Sequence, residues 1–500
     1  MAPFTRSPVR RPNGSGWSGE AVEPGEIRIP GPALRALDPL IFDHISSAAA
    51  DGAFTGEVPM FPEPHVEAIE GQAFTKEVLP AHALEEMRAH LARLTGGRPA
   101  RPADALRAAR ERLGPSVGPE VLARAAMELL DWGELYELLA DPRVEDIAIQ
   151  HRRYIYAFRG GRWTRQGEIQ DPDRLWGGIR RLCEAFGLRT PNDIKPAAEG
   201  AFSLDFPEPI GFLTVRVSWS EPPIVPSSCL TLRLARPGRA PDLERLIGEG
   251  VLSPEARDYL VGVLDRKGTL IIAGPTGCGK TTLARALLRV AARRFRLVVI
   301  EDSYELMIFW DGRPESDPGN VVHKLTRPRL PGEDIVPFTA FDLLVMALRE
   351  RPDGIVVGEA RGPEAFEILR AANTGHGPQV TTLHTDSIER VWSRYLQMAQ
   401  SHPEARDLPI RTLAMMFAEA VTAVAVLAYR EESGGMRRFV EAIAEVMPEL
   451  EGEGDLPVLR TIFFREDGHL TPVSRPIRPG FSAEALGLER LPWRGGTHVW

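Results

Sequence analysis

Apolar residues return every three or four positions in LEEMRAHLARL, Leu84 to Leu94, and again in VLARAAMELLDWGELYELLA, Val121 to Ala140. That period puts them on one face of a helix, so residues 61–140 are predicted to be a helical region. The pattern then shortens to alternation in VEDIAIQ (Val144 to Gln150) and in YIYAFRGGRW (Tyr154 to Trp163), which closes on a Gly-Gly turn. These read as hairpin strands. The helix DRLWGGIRRLCEAFGL and the strands FLTVRVSW and CLTLRLA complete a small α/β unit over 141–236, followed by a Pro/Gly/Arg linker at 237–242.

Beyond the linker the rhythm is strand, helix, strand. TLIIA (Thr269 to Ala273), LVVIED, GIVVGE and QVTTLHT are short apolar runs with helical patterns between them. Such alternation predicts a mainly parallel sheet covered by helices on both faces. Each run ends in Gly, an acid or His, and an open sheet of this kind binds its ligand beyond the carboxyl ends of its strands. Four segments therefore converge on one crevice. This core is assigned to 243–400. A helical stretch and a long hairpin with a Ser-Gly-Gly turn occupy 401–500.

Composition narrows the class. The first 60 residues are rich in Pro and Gly without a sustained period and read as a disordered or loosely packed arm. With 43% apolar residues in 500, the chain has material for two or three packed domains. No run approaches the roughly 20 apolar residues of a membrane span, and MAPFTRSPVRRPNGSG lacks the apolar core of a secretory leader, so a cytoplasmic location is expected. Cys183, Cys229 and Cys278 lie far apart and form no CxxC pair, which points to reduced thiols. A formal charge of −9 argues against a broad nucleic-acid footprint, and no stable nucleic-acid binding is expected.

The chain writes nearly all its positive charge as arginine; its five lysines are Lys76, Lys195, Lys267, Lys280 and Lys324. Lys280 closes Gly274-Pro275-Thr276-Gly277-Cys278-Gly279, and Thr281 and Thr282 follow. This is the phosphate-binding pattern G-x-x-x-x-G-K-[ST], set after a strand and before a helix as it must be. The glycines let successive N–H groups turn toward an anion, and the helix adds its positive end. Lys280 then reaches the β- and γ-phosphates of ATP as a compact point charge, and the Thr281 hydroxyl completes the coordination of Mg²⁺. A planar guanidinium does not fit that ring.

Acidic strand ends supply the remaining chemistry. Glu359 closes GIVVGE, where a carboxylate can hold a metal through water or polarise an attacking water. Glu301 and Asp302 occupy the equivalent edge of LVVIED with Glu305 one turn onward, either at the metal or as an acidic cap on a helix start. His384, at the end of QVTTLHT, either senses the γ-phosphate, bridges Glu359 to a neighbour, or is structural.

These motifs, in this order, resemble the type II/type IV secretion-system ATPases, nearest the tight-adherence pilus and conjugation-type branch. The resemblance runs from about Leu130 to the end. VVIEDSYEL is similar to the family's acidic box, Ala347 to His376 to its Walker B block, and TTLHTDS to its histidine box. It departs from the pattern at Gly377-Pro378-Gln379, which stiffens the link between two histidines, at Asp386, and in the insert WDGRPESDPGN.

The resemblance implies a RecA-like P-loop ATPase domain behind a smaller N-terminal α/β domain and a helical N-terminal region. It implies a hexameric ring under the inner membrane, docked on a membrane platform protein, with ATP at the hinge between domains. Arg233 in LTLRLA and Arg216 in TVRVSW stand where relatives place arginines on the phosphates. Arg349 and Arg361 are either further charge-stabilising groups, within the subunit or across an interface, or surface ion pairs. The leading expectation is a motor for pilus assembly or secretion. A nucleic-acid translocase and a nucleotide-binding ring with little turnover, the latter favoured by the Gly377-Pro378-Gln379 departure alone, are the alternatives.

Overall fold

The computed structural model describes residues 81–236, 241–309, 319–327, 336–432, 435–452 and 456–493. The arm expected at 1–60, residues 61–80 of the helical region, most of the linker, most of the WDGRPESDPGN insert and the start of the Ser-Gly-Gly turn lie outside them.

Helices α1 (Ala81–Thr95), α2 (Pro102–Leu113), α3 (Pro119–Leu129) and α4 (Tyr136–Ala140) lead into six strands: β1 (Val144–Gln150), β2 (Tyr154–Arg159), β3 (Arg162–Glu168), β4 (Ala197–Asp205), β5 (Phe212–Ser220) and β6 (Cys229–Ala235). Their sheet order is β3-β2-β1-β6-β5-β4, antiparallel throughout. Helix α5 (Pro172–Ala185) starts at Asp171, whose carboxylate accepts the Arg174 N–H, and Pro172 presets the first turn. Met87, Ala105, Trp132 and Tyr136 of the helical region share one core with Ile147, Val215 and Leu232 of the sheet. The helical region and the small α/β unit, read as separate stretches in the sequence, are thus one body. On β5 and β6, alternate residues Val215, Val217, Leu232 and Leu234 point into that core. The intervening Arg216 and Arg233 are direct cross-strand partners on the opposite face.

The second body is built on strands β7 (Thr269–Ala273), β8 (Leu297–Glu301), β9 (Val321–Leu325), β10 (Gly354–Val357), β11 (Gln379–Leu383), β12 (Ala423–Glu432), β13 (Gly435–Glu451), β14 (Leu456–Glu466) and β15 (His469–Pro472). The order is β15-β14-β13-β12-β7-β11-β10-β8-β9, parallel from β12 to β9 and antiparallel from β12 to β15. Every residue of β7, β8, β10 and β11 is buried. Leu270 and Ile272 face one core with Leu283 and Leu287, and Ile271 and Ala273 face the other with Leu369 and Tyr395. Covered on both sides, these strands read as continuous apolar runs.

The boundary drawn at residue 400 does not separate two bodies. β12 pairs in parallel with β7, the strand that feeds the phosphate-loop pattern, so the C-terminal region widens the same sheet. The β12–β13 hairpin also reaches the N-terminal body: Arg438 donates to both Glu145 oxygens at 2.6 and 2.8 Å, and Arg162 Nε to Glu431 at 2.7 Å. No helix among the described residues is long and apolar enough to cross a membrane.

Candidate functional site

β7 ends at Ala273, and helix α6 (Lys280–Ala291) begins seven residues later. Between them the backbone takes φ +153° at Gly274, +77° at Gly277 and +98° at Gly279, values that favour glycine. A Cβ on Gly274 would lie 2.6 Å from both Cys278 Sγ and the Leu427 carbonyl oxygen, so the loop has no room for another residue there. Cys278 is buried beneath the loop, and burial raises its thiol pKa. Pro275 and Thr276 form the outer turn, and Thr282 lies in the first turn of α6.

The cleft beside this loop gathers side chains from five segments. Thr281 comes from α6, Glu301 from the end of β8, Asp302 and Glu305 from the loop after it, Glu359 and Arg361 from beyond β10, and Arg216 from β5 of the N-terminal body. Across the floor of the site runs a ladder of alternating groups. Lys280 Nζ donates to the Gly274 and Pro275 carbonyls at 2.9 Å each and lies 3.3 Å from His384 Nδ1. His384 Nε2 lies 3.0 Å from Glu359 Oε1. Arg361 donates to Glu359 Oε2 at 2.5 Å and to Asp302 Oδ2 at 2.9 Å, and Thr326 Oγ1 donates to Asp302 Oδ1 at 2.8 Å.

An ammonium only donates, so His384 Nδ1 is the acceptor and the imidazole proton sits on Nε2, directed at Glu359. The electrostatics agree. Burial, then the nearby Lys280 charge, lowers the His384 pKa, and burial lowers that of Lys280. Burial alone would raise the Glu359 carboxyl, but the Arg361 hydrogen bond and charge outweigh it and hold the group below its ordinary value. Glu305 moves the other way: burial, followed by the Glu301 charge, raises it against the pull of Arg233 and Arg216.

The remaining expected residues differ in placement. Arg233 donates through Nε to Asp146 at 3.0 Å within its own sheet. Glu301 is buried, with Oε1 accepting the Glu305 and Leu306 N–H groups at 3.1 and 2.7 Å. Arg349 is not brought to the cleft: it is exposed at the end of helix α7 (Ala340–Ala347), ahead of β10 and away from the strand ends that form the site. Thr326, which ties Asp302 down, was missed because VVHKL interrupts its apolar residues with His and Lys and carries no clear strand pattern.

The glycine cradle and the helix end suit a nucleotide triphosphate. Among the described residues no group of three or more His, Cys, Asp or Glu side chains could hold a metal by itself. A divalent ion here would therefore rely on Thr281, the neighbouring acids, phosphate oxygens and water.

The model of a family described as type II/IV secretion system protein matches residues 199–428. A Mycobacterium tuberculosis protein provisionally named for conjugal transfer is 32% identical over 282 residues, 55% of this chain and 76% of its own length. The chain belongs to the type II/IV secretion system protein family. A second similar protein is the type IV secretion system protein PtlH of Bordetella pertussis, 35% identical over 185 residues, 37% of this chain and 52% of that one. Among solved structures, the Legionella pneumophila ATPase DotB is 21% identical over 65% of this chain and 81% of its own, with a TM-score of 0.46. The part matched by the type II/IV secretion system family begins in β4 and ends in β12. It spans both Arg216 and Arg233 and the whole ladder from Lys280 to His384. By family the chain is a secretion-system ATPase.

Proposed function

We propose that this protein is the ATP-hydrolysing motor of a type IV or tight-adherence pilus, or of a type II/IV secretion apparatus. It works as a hexamer on a platform protein at the inner face of the cytoplasmic membrane. The observation that carries the reading is the unbroken ladder Lys280, His384, Glu359, Arg361, Asp302, whose last three members line one cleft with Arg216 of the other body.

Each residue has a part in it. The loop amides from Gly274 to Lys280 cradle phosphates, and Lys280 leaves the loop carbonyls for the β- and γ-phosphates. Thr281, with Asp302 and the more deeply buried Glu301 behind it, would hold magnesium, and the ion would supply charge neutralisation at the phosphates. Glu359, kept ionised by Arg361, accepts a hydrogen bond from the attacking water; its depressed pKa suits it to aim that water rather than to store its proton. Arg216 and Arg233 close on the phosphates from the N-terminal body, so the two bodies approach when triphosphate is bound and separate after hydrolysis.

The test is phosphate release by the full-length protein and by Lys280→Ala. Loss of a phosphate-directed cation is expected to lower turnover by roughly 10²–10³-fold. Equal rates for the two proteins defeat the motor reading, and tight, salt-sensitive binding of single-stranded DNA transfers it to a nucleic-acid translocase.

A further inference from the structure

The edge strand β9 sets a histidine beside Glu301. The register pairs Val299 with His323 and Glu301 with Leu325, so His323 and Glu301 are diagonal neighbours on one face of the sheet. His323 Nδ1 lies 3.6 Å from Glu301 Oε2, with the two side chains 9% and 4% exposed. That carboxylate oxygen and both ring nitrogens are buried without a hydrogen-bond partner among the described residues. The other buried cation near this carboxylate, Arg285 of α6, donates instead to the Met307 carbonyl at 3.0 Å. The Tyr304 ring meets the imidazole edge-on, with centroids 6.3 Å apart.

An acceptor and a donor that face each other in a dry place, both unmet, are costly to leave so. The 3.6 Å gap exceeds hydrogen-bond length by about half an ångström. Glu301 Oε1 is already committed to the amides of Glu305 and Leu306. The second oxygen decides whether that carboxylate stays in place.

We propose that His323 is a positioning residue. Its Nδ1–H is donated to Glu301 Oε2 and fixes the carboxylate that clamps the loop from Ser303 to Leu306. That loop holds Glu305 in the cleft and follows directly from Asp302, which in turn anchors Arg361. Asp302 is then the acid of the pair left facing the cleft, and Glu301 is the anchor behind it. The effect on turnover rests on the motor reading; the effect on the loop does not.

The experiment compares full-length wild type, His323→Leu and His323→Asn by amide hydrogen exchange and by phosphate release, with Lys280→Ala as control. Leucine fills the space without a donor, and the asparagine amide restores one. In His323→Leu the peptide covering residues 302–309 is expected to exchange about tenfold faster, as for loss of a hydrogen bond to a charged group. Its kcat falls about tenfold while the affinity for a nonhydrolysable ATP analogue stays within about twofold, and His323→Asn recovers both. Unchanged exchange in His323→Leu, or His323→Asn as loose as His323→Leu, overturns the proposal. If wild type shows no Lys280-dependent turnover, the motor reading falls and the exchange data still decide the role of His323. Should His323→Leu not fold, His323→Ala takes its place in the same comparison.

Discussion

His384 and Glu359 lie 3.0 Å apart, ring nitrogen to carboxylate oxygen, and the far side of the same ring accepts from Lys280. A single neutral imidazole thus joins the phosphate-directed cation to the strand-end acid, and only one tautomer satisfies both neighbours.

That arrangement fixes a pH dependence. Protonated His384 would set a second cation against Lys280, with Arg361 and Arg394 also repelling it and Glu359 alone attracting it. Burial first, and then these charges, hold its folded pKa below the ordinary value of about 6.5. Above that value the ring is neutral in folded and unfolded chains alike and contributes nothing. As pH falls below it, the unfolded chain takes up a proton that the folded site refuses, so stability is lost progressively down to the folded pKa. The acid limb of kcat/KM for phosphate release is expected below about pH 6.5. His384→Asn, which keeps a donor to Glu359 but cannot titrate, shifts the limb to the lower pH where Glu359 protonates. A wild-type limb at or above the ordinary histidine value counts against the assignment.

The two N-terminal arginines should separate in their effects. Arg216 and Arg233 are cross-strand partners, yet only Arg233 has an ion pair, to the buried Asp146. Arg216 lines the cleft and makes no ion pair among the described residues. Arg216→Ala is expected to raise the KM for ATP and lower turnover with an unchanged denaturation midpoint. Arg233→Ala leaves a buried carboxylate unpaired and adds a stability loss of about 1 kcal/mol, a figure reduced because the guanidinium is half exposed. Urea unfolding and steady-state kinetics on both variants check this. Equal stability losses would mean that Arg216 is structural.

Much of this site was legible because its parts are local. Gly274 to Thr281 announces its turn and its helix within eight residues, and the acids at 301, 302 and 359 stand at the ends of runs whose burial on both faces made them apolar throughout. What stayed hidden depends on pairings across the fold. β9 is partly exposed, so VVHKL shows no apolar stretch, and with it went Thr326 and His323. The pairing of β12 with β7 joins segments about 150 residues apart and has no signature in either. Arg349, which the sequence left open between a charge-stabilising group and a surface position, is exposed past the end of α7 and does not line the cleft of its own chain. Glu301 sits where strand-end logic put it, while its carboxylate binds two amides of its own loop, which no spacing rule reveals.

The last prediction concerns Gly377-Pro378-Gln379, the departure from the family pattern that lent support to a ring with little turnover. These residues lie at the amino end of β11, and His384 follows its carboxyl end, so the strand itself separates them. Gly377 is buried, and a Cβ on it would stand 1.9 Å from the Lys267 carbonyl oxygen; one on Gly354 would stand 2.2 Å from that of Pro378. Backbone packing at this corner, and not the chemistry of the cleft, therefore accounts for the glycine. Gly377→Ala is expected to force the corner apart and cost about 1–3 kcal/mol, as overpacking does. A thermal melt would register that as a fall of several degrees, at roughly 2–4 °C per kcal/mol for a chain body of this size. Phosphate release by the folded variant, at a temperature well below the melt, should stay within about twofold of wild type, since no group of the ladder moves. Should turnover collapse with the melting temperature unchanged, the corner governs hydrolysis after all, and the low-turnover ring regains its support.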